Sequence, residues 1–324
     1  MHLARVLLAA AAATAGAPAA LAPAAATPAA VAPGKYTEKE LDQLAATVRV
    51  DGAVLLRGVL DTGKLARIRA AFKPVLAARI ARDGPDRGPG RYYATPPFVP
   101  PFFDPEIFQH PDILGVVSRL VGTDAVLCQW AADTPHLGSQ YQQVHRDAAP
   151  LYTDPGFPEP PPTQLAVNFP LVDVLPPQGN GPTEWIRGTH RLTVAEGEAL
   201  IAGPAKALRL EPQYMALGDV LVRDVRGLHR GTPNLSEEPR EMVVVGYSRS
   251  WLRRPEVGIR VKQSLYDGLD EVGRSLLRFE DIVADDEFGD WPGEGWSPRY
   301  DSAMLDMTSG ASYKEQREKK ADEL

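Results

Sequence analysis

The chain has 324 residues, of which 44% are hydrophobic and 24% charged, with a formal net charge of −7. Its single cysteine, Cys128, excludes an internal disulfide framework and a cysteine-rich zinc site. The acidic balance speaks against a binder of nucleic-acid backbones, which needs a Lys/Arg surplus on at least one face.

Of the first 34 residues, 17 are alanine and none is acidic. A positively charged start, Met1 to Arg5, leads into the apolar run Val6 to Ala13 and then small-x-small triplets such as Ala13-Thr14-Ala15. That order predicts a signal-peptide-like leader followed by an Ala/Pro linker. A low-complexity segment or an organellar transit peptide would read similarly. Pro18 and Pro23 interrupt the run well short of the about 20 apolar residues a membrane span needs.

Thr37-Glu38-Lys39-Glu40 has the spacing of a capping box and heads a helix with Leu41, Leu44 and Val48 on one face. Gly52 to Leu56 reads as a short buried strand. Asp61 caps a second helix carrying Leu65, Ile68, Ala71 and Phe72. A loop over Asp83–Gly90 precedes a third helix from Pro111, with Ile113, Leu114, Val117 and Leu120 along it. From Ala125 the pattern changes to short apolar runs, at Ala125–Trp130, Gln164–Leu171, Val220–Val222 and Met242–Tyr247, broken by Gly-, Pro- and Asn-bearing turns. Helices first and many short strands after them predict a mainly β sandwich or jelly roll with flanking helices.

The expected division is a leader and linker over 1–34 and a single domain over 35–299. Within that domain, 35–124 is a mostly helical flank, 125–250 the β core and 251–299 a C-terminal flank. A charged tail occupies 300–324. It ends Ala321-Asp322-Glu323-Leu324, one change from an endoplasmic-reticulum retention address. With the leader, this points to export or endomembrane entry, with cytoplasmic or organellar placement as the alternatives.

Two histidines stand in His-x-Asp triplets. In His110-Pro111-Asp112 the aspartate has a sufficient role at a helix start. His145-Arg146-Asp147 follows a polar segment, and if that segment is extended its imidazole and carboxylate share one face while Arg146 points away. Such a pair is two thirds of a two-His, one-carboxylate site for Fe(II), or else a surface ion pair. A third ligand must come from elsewhere, and His229, after the strand starting at Val220, is placed to supply it. Arg240 heads the next strand, and the two residues are expected on adjacent antiparallel strands. An arginine there offers a planar fork that binds a carboxylate through two parallel hydrogen bonds. Taken singly, His229 and Arg240 also read as a satisfied strand-end histidine and a solvated charge.

The ordered set His145-x-Asp147, Asn180-Gly181-Pro182-Thr183, Gly188-Thr189-His190-Arg191, Gly218-Asp219, His229 and Arg240 resembles the phytanoyl-CoA dioxygenase family of iron(II)- and 2-oxoglutarate-dependent oxygenases. The resemblance runs from about Asp51 to Tyr247, and ten residues separate His229 from Arg240, as in that family. It implies a double-stranded β-helix core of the cupin-like, jelly-roll kind. It also implies Fe(II) bound by His145, Asp147 and His229, and Arg240 holding the distal carboxylate of 2-oxoglutarate. The implied reaction is hydroxylation of a C–H bond in a small organic substrate with O2, coupled to decarboxylation of 2-oxoglutarate to succinate and CO2. Desaturation, cyclisation and epimerisation belong to the same chemistry, whereas halogenation needs a small residue where this chain has Asp147. One departure is Arg187, where the family usually has proline; it is a substrate-contact candidate or a solvated charge. His190 reads as structural, and His136 has no evident partner.

Tyr152, just before the proline-rich stretch Asp154–Pro162, and Phe157 within it are candidates for apolar substrate contact, the alternative being a rigid surface loop. Arg249, Arg253 and Arg254 form the dense basic cluster that a coenzyme A thioester would need, or a solvated strand end. Two other classes compete with the enzyme: an inactive ligand-binding protein of the same fold, and a secreted binding sandwich. The complete ligand set opposes the first, and the 7% aromatic content without an alternating stripe opposes the second.

Overall fold

The computed structural model describes residues 34–148, 151, 160–252 and 258–289. The expected leader (but for Gly34), the charged tail, Tyr152, Phe157, Arg253 and Arg254 lie outside them.

Local sequence signals set the helical flank. Thr37 caps α1 (Glu38–Asp51) with both halves of the capping box formed, and Gly52 closes it in the left-handed conformation at φ +85°. A Cβ on Gly52 would meet His190 Nδ1 at 2.6 Å and Trp185 at 2.8 Å, so close approach as well as φ demands glycine there. Asp61 caps α2 (Thr62–Asp83), and short α3 (Pro105–Phe108) and α4 (Pro111–Val121) follow. Later helices are α5 (Val194–Ala202), α6 (Gln263–Asp267) and α7 (Glu271–Leu277).

Eleven strands are formed among the described residues: β1 (Ala53–Leu56), β2 (Arg91–Ala94), β3 (Val126–Pro135), β4 (Gln164–Pro170), β5 (Thr183–Trp185), β6 (Glu211–Gln213), β7 (Val220–Asp224), β8 (His229–Gly231), β9 (Met242–Ser248), β10 (Arg260–Lys262) and β11 (Asp281–Val283). Six of them make an antiparallel sheet in the order β1-β7-β4-β9-β3-β2, and a second sheet runs β6-β5-β8. Together they form the double-stranded β-helix, with the helices on its outside. β10 and β11 pair separately in parallel.

Period-two alternation in the large sheet divides its labour. Val220 and Val222 of β7, Leu165, Val167 and Phe169 of β4, and Val243, Val245 and Tyr247 of β9 face the helices in one core with Leu65, Ile68, Phe72, Phe98, Phe108 and Trp130. Tyr247 also donates to the Phe108 carbonyl at 2.7 Å, pinning β9 to the end of α3. The opposite face, turned toward the small sheet, carries Ala166, Asn168, Leu221, Arg223, Val244 and Gly246, in the register Ala166↔Arg223 and Ala166↔Gly246. Asn168 and Arg223 thus sit inside beside Ala166, Leu221, Val244 and Gly246, while the alternate residues are committed to the helices.

One expectation is corrected. His229 and Arg240 do not lie on adjacent strands: His229 opens β8 in the small sheet, while Arg240 precedes β9 in the large one. The connection from β8 to β9 crosses between the two sheets.

Gly227 precedes β8 with no room for a side chain, since a Cβ there would lie 2.0 Å from the Trp185 indole. That indole is fully buried and donates to the Asp51 carbonyl at 3.0 Å, so it cannot swing aside freely. Gly227→Ala is therefore expected to cost about 2–3 kcal/mol, the upper part of the overpacking range, in denaturant unfolding of the metal-free protein.

Candidate metal centre

His145 and His229 are brought together by backbone pairing. Each donates its N–H to the other's carbonyl at 3.0 Å, an isolated antiparallel bridge that adds the His145 segment to the edge of the small sheet beside β8. Directly opposed residues project to the same side, and their ring centroids lie 4.5 Å apart. Arg146 turns away to the carbonyls of Leu192 and Thr193. Asp147 is held by its own N–H, which donates to the Val225 carbonyl at 2.9 Å. Its Oδ1 lies 3.7 Å from His145 Nε2 and 3.6 Å from His229 Nε2. One ligand atom from each of the three residues falls within 4.8 Å of the others.

The tautomers follow from the second nitrogens. His145 Nδ1 is 2.8 Å from the Gln143 carbonyl and His229 Nδ1 is 3.0 Å from the Gly227 carbonyl. A carbonyl can only accept, so each Nδ1 carries a proton and each Nε2 is the ring nitrogen that faces Asp147. Carbonyls that fix ring orientation in this way are what ligand histidines need. Trp185 stacks against His229 with centroids 5.9 Å apart and 27° between planes, backing the imidazole from its other side.

Arg223 was not singled out in the sequence, yet it completes the centre. Its Nη2 lies 2.6 Å from Asp147 Oδ2, and its Nε donates to Asn168 Oδ1 at 3.0 Å. Burial opposes ionisation of Asp147, but the Arg223 charge, the two imidazoles and the Arg223 hydrogen bond outweigh it and hold the carboxyl below its usual range. Burial, and then the same Arg223 charge, pull His229 down to about 3, so its imidazole is neutral at pH 7. The sequence signal for Arg223 was a charged residue in the apolar strand Val220-Leu221-Val222, at a position facing inward with Leu221.

These shifts give the metal-free protein a defined acid response. An unfolded histidine titrates near 6.5, whereas folded His229 does so at about 3, so between those values the unfolded chain binds one proton more. Stability therefore falls as pH drops below about 6.5, by up to about 1.4 kcal/mol per pH unit from this group. Asp147, lowered from 3.8, adds a loss of the same sign at lower pH, below about 4. Denaturant midpoints measured in chelator between pH 7.5 and 5 check the slope; an unchanged midpoint contradicts it.

Arg240 is 1% exposed, and its Nε and Nη2 have no hydrogen-bond partner among the described residues. Burial pulls it down to about 10, still cationic at neutral pH. Neighbouring carboxylates are engaged with other arginines: Asp133 with Arg91 at 2.8 Å and Glu241 with Arg69 at 3.1 Å. A buried guanidinium with unused donors is suited to a carboxylate ligand, and two imidazoles with one carboxylate suit Fe(II).

The other expected site residues are occupied elsewhere. Arg187 is exposed and bridges Asp51 at 2.9 Å and Glu211 at 2.7 Å, which fastens α1 to β6. His190 reaches the Arg49 carbonyl, and His110 caps α4 by accepting from the Asp112 N–H. His136 packs edge-on against Tyr92. Arg249, within the cluster considered for coenzyme A, donates to the carbonyls of Pro162 and Leu120. Asp219 of the Gly-Asp turn accepts from the Gly58 and Ala216 N–H groups and from Arg57.

Comparison with known proteins matches residues 48–242 to the family described as phytanoyl-CoA dioxygenase. Among solved structures, the chain is similar to the non-haem α-ketoglutarate-dependent epimerase SnoN from nogalamycin biosynthesis, at 23% identity and a TM-score of 0.52, covering 66% of this chain and 85% of that one. A SnoN complex with Fe3+, α-ketoglutarate and nogalamycin RO gives 21% identity and a TM-score of 0.51, covering 81% of this chain and 94% of that one. HygX from Streptomyces hygroscopicus, with nickel, 2-oxoglutarate and hygromycin B bound, gives 15% identity and a TM-score of 0.50, covering 68% of this chain and 90% of that one. At these identities the likeness to the solved structures is one of fold.

Proposed function

The chain belongs to the phytanoyl-CoA dioxygenase family, and from that premise we propose that it is an Fe(II)- and 2-oxoglutarate-dependent oxygenase that hydroxylates a C–H bond of a small organic molecule. The observation that carries the reading is the convergence of His145, Asp147 and His229 within 4.8 Å, each histidine with its Nδ1 committed to a carbonyl. When bound, Fe(II) with 2-oxoglutarate supplies oxygen activation: one atom of O2 enters the substrate as hydroxyl, the other enters succinate, and CO2 leaves.

In this reading the chain's own groups have separate tasks. His145 and His229 present their Nε2 atoms, and Asp147 presents Oδ1 because Arg223 occupies Oδ2. Arg240 supplies the buried fork for the distal carboxylate of the cosubstrate, where a well-desolvated ion pair excludes water from that end. Asp147 keeps a carboxylate at the position halogenation would need vacant.

The test is an anaerobic titration with Fe(II) and 2-oxoglutarate, followed by admission of oxygen. A visible charge-transfer band and subsequent succinate release are expected; absence of both removes the oxygenase reading.

A further inference from the structure

Arg223 has more donors than its described contacts use. Its Nη2 is spent on Asp147 and its Nε on Asn168, while Nη1 is buried without a partner in a side chain only 7% exposed. Nη1 shares a carbon with Nη2, so its free N–H groups lie beside the carboxylate of the metal centre. Leaving such a donor unsatisfied is costly unless a ligand completes it.

The charges around it identify the ligand's character. Asp147 and Arg223 cancel, and Asp133, Glu241 and Asp224 are each paired with Arg91, Arg69 and Arg226. A divalent metal and Arg240 then present three positive charges to the two carboxylates of 2-oxoglutarate. Among the described residues one positive charge is left over beside Arg223, whose side chain is only 7% exposed, and an unmatched charge there is disfavoured.

We propose that Arg223 is a substrate-recognition residue whose Nη1 binds a carboxylate on the primary substrate, while its Nη2 keeps Asp147 on a single metal-facing oxygen. The proposal rests on the oxygenase reading above and narrows it to carboxylate-bearing substrates. A planar guanidinium can serve the ligand carboxylate and Asp147 together, which a shorter, point-like ammonium does less well.

Two measurements on the anaerobic Fe(II)·2-oxoglutarate protein test it. Benzoate, phenylacetate and hexanoate, each beside its primary amide, are titrated while the charge-transfer band is followed; 2-oxoglutarate affinity is measured separately by calorimetry with Ni(II). In wild type the carboxylates shift the band and the amides do not. Arg223→Lys and Arg223→Gln reduce carboxylate affinity at least tenfold while 2-oxoglutarate affinity stays within threefold. Arg223→Lys keeps a positive charge against Asp147, so the comparison stands if Arg223→Gln fails to fold. Amides acting as well as acids, no effect of the acids, or equal carboxylate binding by the variants overturns the proposal. A tenfold loss confined to 2-oxoglutarate also overturns it, and assigns the donor to the cosubstrate instead. A wild-type protein without the band fails the oxygenase reading, which is a separate result.

Discussion

Asp147→Asn is expected to lower affinity for Fe(II) or Co(II) by more than about 100-fold, since loss of a mere outer partner already costs 10–100-fold. The substitution keeps shape and removes the charge that sits 3.6 and 3.7 Å from the two histidine Nε2 atoms. It also leaves the Arg223 guanidinium facing a neutral amide in a buried site. An unpaired cation would then repel the incoming metal, so the loss has two parts of one sign. Asp147→Ala would remove the ligand too, but at the added cost of a buried, uncompensated arginine, about 3–5 kcal/mol in comparable pairs. Asparagine is therefore the cleaner variant. The control is His110→Ala, which loses a helix cap worth about 1 kcal/mol and should bind metal as wild type does. Calorimetric metal titration reads both; equal affinities for Asp147→Asn and wild type would remove Asp147 from the centre.

Much of the architecture was legible because local rules decide it. Thr37, Asp61 and Pro111 start helices where capping and proline geometry say they should. The apolar runs beginning at Gln164, Val220 and Met242 became β4, β7 and β9 to within two residues. The pairing of His145 with Asp147 was legible for a different reason: in an extended chain i and i+2 share a face, whatever the tertiary partner. His229 and Arg240 were placed in order by resemblance, but their separation onto two sheets was not, because strand exchange between sheets leaves no periodic mark in sequence.

Arg223 shows what single-strand patterning misses. Charge within an apolar strand reads as an exposed edge or a strand end, and Val220–Asp224 is short enough to permit either. Its burial comes from β1 and β4 pairing with both edges of β7, from the helices packed on one face and from the small sheet on the other, all of them non-local facts. Arg187 is the opposite case: a departure from a family pattern drew attention to a charge that Asp51 and Glu211 meet at the surface.

Arg240→Met should separate cosubstrate binding from stability more sharply than any other change. Truncating one partner of a buried, hydrogen-bonded ion pair costs about 2–5 kcal/mol, on the order of 30- to several-thousand-fold in 2-oxoglutarate affinity. Metal affinity without cosubstrate should stay within about threefold, because Arg240 is not among the groups that converge on the ligand atoms. The ligand-free protein should respond in the other direction. There Arg240 is a buried cation, lowered to about 10 by desolvation, with Nε and Nη2 unpartnered. Replacing such a charge by an apolar side chain of similar length removes a desolvation penalty, so thermal stability should be unchanged or higher. Wild type gains stability with added 2-oxoglutarate in the presence of Ni(II), by about 2.7 kcal/mol at 100 times the dissociation constant, and the variant should gain almost none at the same concentration. Thermal melts with and without the cosubstrate measure both signs in one experiment. A ligand-free variant that melts well below wild type would show Arg240 to be a structural ion-pair member, while an undiminished 2-oxoglutarate shift would place the cosubstrate's carboxylate elsewhere.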